Sequence, residues 1–302
     1  MIKQKPELRA YAMLGLVMLF WAGNSIVGRA VRSDIPPFTL ALVRWVGALL
    51  ILAPVALRHV IAEWKAIRQK WPVILLLGFV GVAGFNGFLY SGLHYTTATN
   101  ALLIQALIPG LVLLTGAMLF HDRSPWKQVA GVALSTLGVV IIVFRGDPMA
   151  ILRLHFGFGD SLILGGCLAW AVYTVCLRLA PQVHPLSFLF TTFAIGAIAM
   201  APLAASEAQR IARIPWKPEI FAAFAYVAIF PSVIAYFLYN AAVARIGPGA
   251  AGQTISLMPL FGALLAVALL NEKLQAYHGA GMVLILAGVL LSALAHAKHA
   301  GG

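Results

Sequence analysis

Aromatic and polar side chains recur at helical spacing inside long apolar stretches of this 302-residue chain. Trp21 and Asn24 are three residues apart, and so are Trp170 and Tyr173. On a helix, each pair would share one face. Aromatic rings can cover the apolar body of a small molecule, and amides and hydroxyls can hydrogen-bond its polar ends. The chemistry that these residues offer is therefore non-covalent recognition of a small solute.

The full set of such residues falls on helices in both halves of the chain. We predict that it lines a central cavity and binds substrate through Trp21, Asn24, Asn86, Tyr90, Gln105, Trp170, Tyr173, Tyr239 and Gln253. The alternative is that these groups only pack, or hydrogen-bond between helices, at about 0.6 kcal/mol each. We favour the cavity, because Trp21, Trp170 and Tyr173 lie closer to mid-span than an interfacial aromatic belt would.

Two prolines are predicted to shape this cavity. Pro109 and Pro259 lie inside apolar stretches, 150 positions apart. A proline within a helix removes a backbone hydrogen bond and frees a carbonyl. Their matching positions favour functional kinks over tolerated bends. The glycines at 78, 81, 84 and 87 are interpreted as a close-packing face, with a hinge as the alternative.

Arg44 is the only charged residue well inside an apolar stretch. We expect that Arg44 either snorkels to the membrane interface or pairs with Asp34. The alternative is that it forms an anion site. No Asp or Glu lies at a membrane centre, which disfavours a carboxylate proton relay. His94 is the remaining titratable candidate for such a relay.

Composition and motifs exclude several other functions. The chain is 62% hydrophobic and 10% charged, too few charges for a water-soluble surface. Its net charge of +12 is spread between apolar stretches, which argues against nucleic-acid binding. No zincin, P-loop or nucleophile-elbow motif occurs, so no enzyme is expected. Cys167 and Cys176 lack metal-site spacing, and no metal or cofactor is expected.

The elements that must position these residues are membrane helices, since about 20 apolar residues span a bilayer core. We predict ten, near 10–31, 38–57, 72–93, 97–119, 125–145, 158–180, 185–204, 218–240, 248–270 and 276–297. The first is too long for the apolar part of a signal peptide. Lys and Arg are in excess in the segments on the same side of the membrane as the N-terminus, which predicts that both termini lie in the cytoplasm.

The chain also repeats itself. Trp21 matches Trp170 at a shift of 149, and FLY at 88–90 matches FLY at 237–239. We expect an N-terminal repeat of helices 1–5 at 1–146 and a C-terminal repeat of helices 6–10 at 147–302. Because five is odd, the second repeat must enter the membrane from the opposite side. The fold class predicted is therefore an all-α integral membrane protein of ten transmembrane helices in two inverted five-helix repeats, as in alternating-access transporters.

In these features the chain resembles the drug/metabolite transporter superfamily, in its ten-helix exporter branch. The resemblance rests on WAGNS at 21–25, LVRW at 42–45, PGLVLLTGAMLFHDR at 109–123 and PLFGALLAVALLNEK at 259–273. It covers nearly the whole chain. The acids Asp122 and Glu272 stand where the family has an acid after helices 4 and 9.

The resemblance implies a carrier in a bacterial inner membrane that exports amino acids or related metabolites. Alternatives within the superfamily are transport of sugar phosphates, nucleotide sugars or organic cations, and a membrane scaffold or sensor is the non-transport alternative. The expected partners are a small-molecule substrate and membrane lipid, and a monomer is compatible with this plan.

Overall fold

The computed structural model describes residues 4–31, 33–93, 95–96, 101, 104–147, 149, 157–270 and 275–299. Within these residues the secondary structure is helical, without β-strands. We number ten helices along the chain: α1 Gln4–Ala30, α2 Pro37–Ala62, α3 Trp71–Leu93, α4 Ile108–Phe120, α5 Trp126–Val143, α6 Phe158–Leu179, α7 Pro185–Ala205, α8 218–246, α9 248–270 and α10 Ala276–His299.

The ten-helix prediction is confirmed. Eight helical stretches of the described residues are long and apolar enough to cross a membrane. One of them, Pro218–Leu265, turns at Gly247, whose φ of 77° is accessible mainly to glycine, and so contains both α8 and α9. The shorter apolar helix Ile108–Phe120 completes the set, and the first part of its predicted span lies partly outside the described residues.

Prolines mark where several helices begin. Pro37, Pro185 and Pro218 each occupy the first turn of a helix. A first-turn N–H has no partner within the helix, so proline loses nothing there and its fixed φ suits the helix. The sequence thus sets the start of α2, α7 and α8 locally.

The contact between α5 and α10 shows how the repeats are related. A Cβ on Gly131 would lie 2.5 Å from the Gly288 carbonyl, and one on Gly138 would lie 2.6 Å from the Gly281 carbonyl. Gly131 and Gly281 are counterparts at a shift of 150, as are Gly138 and Gly288. The two helices therefore run antiparallel and cross symmetrically. Because the axis that exchanges them is perpendicular to both, the repeats are inverted.

Helices α2 and α7 form a second symmetric pair. The rings of Trp45 and Phe193, counterparts at a shift of 148, have centroids 5.1 Å apart. Glu207, just beyond α7, accepts hydrogen bonds from the Thr39 N–H and hydroxyl, at 2.7 and 2.8 Å. Glu63, just beyond α2, accepts from the His184 N–H at 2.8 Å and the Ser187 hydroxyl at 2.6 Å. Each carboxylate thus caps the first turn of the other helix.

Both α3 and α8 contain a π-helical segment at corresponding places, Gly78–Gly84 in α3 and Ile229–Ile234 in α8. Such segments widen the helix and leave carbonyls without their usual i+4 partner, and they are frequent at functional sites. The two segments lie at mid-helix in opposite repeats. Each segment has a buried part, which includes Gly81 in α3 and Pro231 and Ser232 in α8.

Candidate functional site

Six aromatic residues from both repeats meet in the buried interior of the helix bundle. We call this group the central aromatic cluster, and it consists of Trp21, Trp45, Trp170, Tyr173, Tyr236 and Tyr239. The Trp170 ring lies 5.1 Å from Trp21, 5.2 Å from Tyr173 and 5.5 Å from Tyr239, between centroids. All six side chains are buried, and the most exposed of them, Trp21, is 9% exposed. Helices α1, α2, α6 and α8 supply the cluster.

The π-helical segments hold the cluster through their carbonyls. The Trp21 indole Nε1 donates to the Pro231 carbonyl at 3.1 Å. The Tyr236 hydroxyl donates to the Gly81 carbonyl at 2.8 Å. Gly81 also lies directly against the Tyr173 ring, where a Cβ would not fit. A glycine in α3 is therefore needed at this position for the ring of Tyr173 to reach the cluster.

Polar groups on α6 and α8 line one side of the cluster. The Tyr173 hydroxyl donates to Asn240 Oδ1 at 2.8 Å, and the hydroxyls of Thr174 and Tyr239 are 3.0 Å apart. In the described part of the chain, the Asn240 amide nitrogen is buried without a hydrogen-bond partner. An unsatisfied buried amide costs about 1–3 kcal/mol, so Asn240 has hydrogen-bonding capacity to offer a solute.

Arg44 lies on the opposite side of the cluster. Its Nε donates to Ser232 Oγ at 2.6 Å, and its Nη2 donates to the Pro231 carbonyl at 3.0 Å. The side chain is 6% exposed, and its guanidinium stands 4.4 Å from the centre of the Trp45 ring. Arg44 is therefore directed into the protein toward α8, and it does not snorkel to the membrane interface.

A cleft opens at one membrane face, and one of its lining residues, Asn240, is hydrogen-bonded to the cluster. We call the face at which α1 begins the N face. The cleft, of about 540 Å³, lies between the ends of α6 and α8 and the beginning of α7 at that face, and Asn240 lines its inner part. At its rim Arg178 donates two hydrogen bonds to Asp122, at 3.0 and 2.5 Å. The cleft therefore connects the surroundings of the N face with a side chain that bonds the cluster.

The structure brings four of the predicted binding residues into direct contact: Trp21, Trp170, Tyr173 and Tyr239. The predicted amides are distributed differently. Asn86 donates to the Val82 carbonyl, one turn back in α3, and Gln105 donates to the Ala101 carbonyl, four residues back in the chain. The amide nitrogen of Gln253 donates to Ser135 and to the Gly131 carbonyl on α5, beside the α5–α10 contact.

Asn24 lies three residues after Trp21 in α1 and is partly exposed. The side chain of Tyr90 and the whole of His94 lie outside the described residues. The two predicted kink prolines each stand at the second position of a helical segment that follows a tighter turn. Pro109 follows the turn at 106–107, and Pro259 follows the 3-10 segment Thr254–Leu257.

Three residues of the site were not among those predicted. Tyr236 and Trp45 are central to the cluster, and Asn240 joins it to the cleft. Tyr236 lies three residues before Tyr239, so helical spacing alone could have added it. Trp45 follows Arg44 directly, and only the crossing of α2 with α7 turns its ring inward.

The site offers no metal-binding set. Among the described residues, no group of three or more His, Cys, Asp or Glu side chains lies close enough to hold a metal ion. Cys167 and Cys176 are both buried free thiols. Chemically, the cluster and its surroundings combine aromatic surface with amide, hydroxyl and guanidinium donors.

Comparison with known proteins agrees with this architecture. The sequence profile of the EamA-like transporter family matches residues 8–144 and again residues 157–294, one match for each repeat. The chain also superposes on a solved crystal structure with a TM-score of 0.76 at 22% sequence identity. That match covers 96% of this chain and 98% of the other, and it shows the fold alone.

The chain is also similar to individual transporters from other organisms. The chain is 31% identical to an uncharacterized transporter from Archaeoglobus fulgidus, over 94% of this chain and 97% of the relative. It is 25% identical to a probable amino-acid metabolite efflux pump from Salmonella typhimurium, over 92% of each. The protein is a multi-pass membrane transporter of a small-molecule substrate and not an enzyme, and it belongs to the EamA-like transporter family.

Proposed function

We propose that this transporter exports amino acids or related small metabolites across a bacterial inner membrane by alternating access. Its N- and C-termini lie in the cytoplasm, and the repeats at 1–146 and 147–302 rock against each other around the central aromatic cluster. The probable amino-acid metabolite efflux pump among the relatives supports this substrate class. The observation that carries the proposal is the meeting of Trp21 and Trp170, one from each repeat, in the buried interior of the protein.

The geometry of the cluster supports binding between the repeats. A solute held there contacts both repeats at once, and a rocking motion would expose it to one face at a time. In this structure the rings are packed together and the cleft opens at the N face. We assign the N face to the cytoplasm, so the cleft is the route by which the solute enters from the cell.

The chemistry of the cluster suits a small solute with both apolar and polar parts. Indole and phenol rings bury apolar surface, with geometric preferences worth about 0.5–1.5 kcal/mol per aromatic pair. Asn240 and the hydroxyls of Tyr173 and Tyr239 offer hydrogen bonds to the polar end. An amino acid combines both features in one small molecule.

The test is flux through the purified full-length protein in liposomes. The panel contains labelled neutral amino acids, one sugar phosphate and one organic cation. We expect flux of at least one amino acid, reduced at least tenfold in Trp170→Ala. Trp126→Ala is the matched control, because Trp126 is 72% exposed at the start of α5, and it should leave flux unchanged. Flux of only the sugar phosphate or the cation would refute the amino-acid assignment.

A further inference from the structure

Among the described residues, Arg44 is the only Lys or Arg that is buried. It lies in α2 seven residues after Pro37, or about 10 Å into the helix at 1.5 Å per residue. Burying a permanent charge at such depth costs free energy, and such a charge usually marks a functional site. Arg44 therefore calls for a role that a neutral residue could not fill.

The guanidinium of Arg44 is held in one orientation. The Ser232 hydroxyl that accepts from Nε is itself fixed, because it donates to the Val227 carbonyl at 2.7 Å. The Pro231 carbonyl accepts from Nη2, and the Trp45 ring lies 4.4 Å from the guanidinium carbon. Ser232 and Pro231 both belong to the π-helical segment of α8. The segment thus holds a positive charge in a fixed position.

The π-helical segment of α8 holds this charge beside the central aromatic cluster. The Pro231 carbonyl that accepts from Arg44 also accepts from the Trp21 indole. The Trp45 ring that stacks with the guanidinium contacts Tyr236, with centroids 5.6 Å apart. The guanidinium is thus next to two rings of the cluster, to which the proposed function assigns solute binding.

We propose that Arg44 binds the carboxylate of the transported solute, while the cluster covers the solute's apolar part. This proposal rests on the central site proposed above and names the group that the site recognises. A guanidinium has five N–H donors in a planar fork, whose geometry matches a carboxylate. Among the residues that the structure describes, the site has one buried cation, which suits a singly charged carboxylate better than a doubly charged phosphate.

The consequence for specificity is direct. A solute with an aromatic or apolar body and a carboxylate binds, with or without an amino group. An amine without the carboxylate meets the positive charge of Arg44 in a water-poor site, where repulsion is strong, and is rejected. The site therefore prefers acids and zwitterions over organic cations.

The experiment measures binding to the purified full-length protein, so that passive membrane permeation does not interfere. Labelled hydrocinnamate, L-phenylalanine and phenethylamine share the same aromatic body. Hydrocinnamate has only the carboxylate, phenethylamine only the amine, and phenylalanine both. We expect the wild type to bind hydrocinnamate and L-phenylalanine at least tenfold more tightly than phenethylamine. Arg44→Gln should lose about tenfold to hundredfold of that preference, and Arg44→Lys should keep the charge preference with weaker binding.

The outcomes separate this proposal from the proposed function. Binding of hydrocinnamate but of no amino acid would refute the amino-acid function and keep the role of Arg44. Phenethylamine binding as tightly as hydrocinnamate, no binding of hydrocinnamate, or an unchanged preference in folded Arg44→Gln would overturn the role of Arg44. If Arg44→Gln does not fold, Arg44→Lys and the wild-type comparison still decide between these outcomes.

Discussion

The indole rings of Trp21 and Trp170 contact each other edge to face, with centroids 5.1 Å apart and planes at 86°. These residues are counterparts, 149 positions apart in the two repeats. A residue can contact its own counterpart only near the axis that relates the two copies. The pseudo-two-fold axis therefore passes close to these rings, and the internal repeat of the sequence converges on the candidate site.

Substituting Trp21 with Phe should destabilise the protein although an aromatic ring is kept. Phenylalanine has no donor for the Pro231 carbonyl, so one buried hydrogen bond is lost. We expect the free energy of unfolding to fall by about 1 kcal/mol, measured as a lower melting temperature of the purified protein. Trp216→Phe, at a tryptophan that is 59% exposed, should melt like the wild type. Equal melting of both variants would contradict the importance of this bond.

The crossing of α5 and α10 should be intolerant of side chains. A Cβ on Gly281 would lie 2.7 Å from the Gly138 carbonyl, whereas a Cβ on Gly279, in the same helix, meets nothing within 4 Å. Gly281→Ala should therefore cost about 1–3 kcal/mol by overpacking. Gly279→Ala should be neutral or stabilising, because alanine favours helix by up to about 1 kcal/mol. Melting temperatures of the two variants, compared side by side, test this difference.

Acid should weaken the packing of α2 against α7. The Ser187 hydroxyl, followed by the His184 N–H, holds the pKa of Glu63 below its ordinary value, and these bonds outweigh burial, which acts in the opposite direction. Because the folded pKa is the lower one, the stabilisation is complete above the ordinary pKa of about 4.3 and is lost as pH falls through the folded pKa.

The measurement for this effect is melting temperature against pH, from neutral pH to below the ordinary carboxyl pKa. Glu63→Gln should melt lower than the wild type at neutral pH and should lose less stability on acidification. Glu219→Gln, at an exposed acid in the first turn of α8, is the control. If wild type and Glu63→Gln fell in parallel as pH is lowered, the contribution of Glu63 would be disproved.

Chemical labelling should identify which face the cleft opens to. Because both native cysteines are buried, Cys167→Ala with Cys176→Ala provides a background without thiols. In that background, Ala244→Cys lies at the cleft, and Ser33→Cys lies at an exposed residue between α1 and α2. A membrane-impermeant maleimide should label position 244 from the cytoplasm and position 33 from outside. Ala171→Cys, at a fully buried position, should stay unlabelled. Labelling of 244 from outside would reverse the proposed orientation.

Much of the fold follows from the order of residues. About 20 apolar residues must form a helix in lipid, because the backbone has no other way to satisfy its hydrogen bonds there. The prolines at 37, 185 and 218 mark helix starts for a local reason, their missing N–H. The shift of 148–150 between Trp, Pro and FLY matches predicts two repeats, and an odd number of helices makes them inverted.

The site was predictable in part. Trp21, Trp170, Tyr173 and Tyr239 show the helical spacing that placed them on inward faces, and they meet in the cluster. The positions of the amides were harder to predict. An amide in an apolar helix can hydrogen-bond its own backbone, a neighbouring helix or a solute in a cavity. Asn86 bonds its own helix and Gln253 bonds α5, and spacing does not distinguish these from a cavity.

What the sequence by itself determined is the class of protein, its helices and its inverted repeat, because each depends on local composition or on comparison of the chain with itself. Only the tertiary structure decided which groups meet across helices. The π-helical segments, the shared Pro231 carbonyl of Trp21 and Arg44, and the pairing of Tyr173 with Asn240 join residues up to 210 positions apart. Those contacts depend on how helix axes cross, and the crossing is set by packing of whole helices and not by any one stretch of sequence.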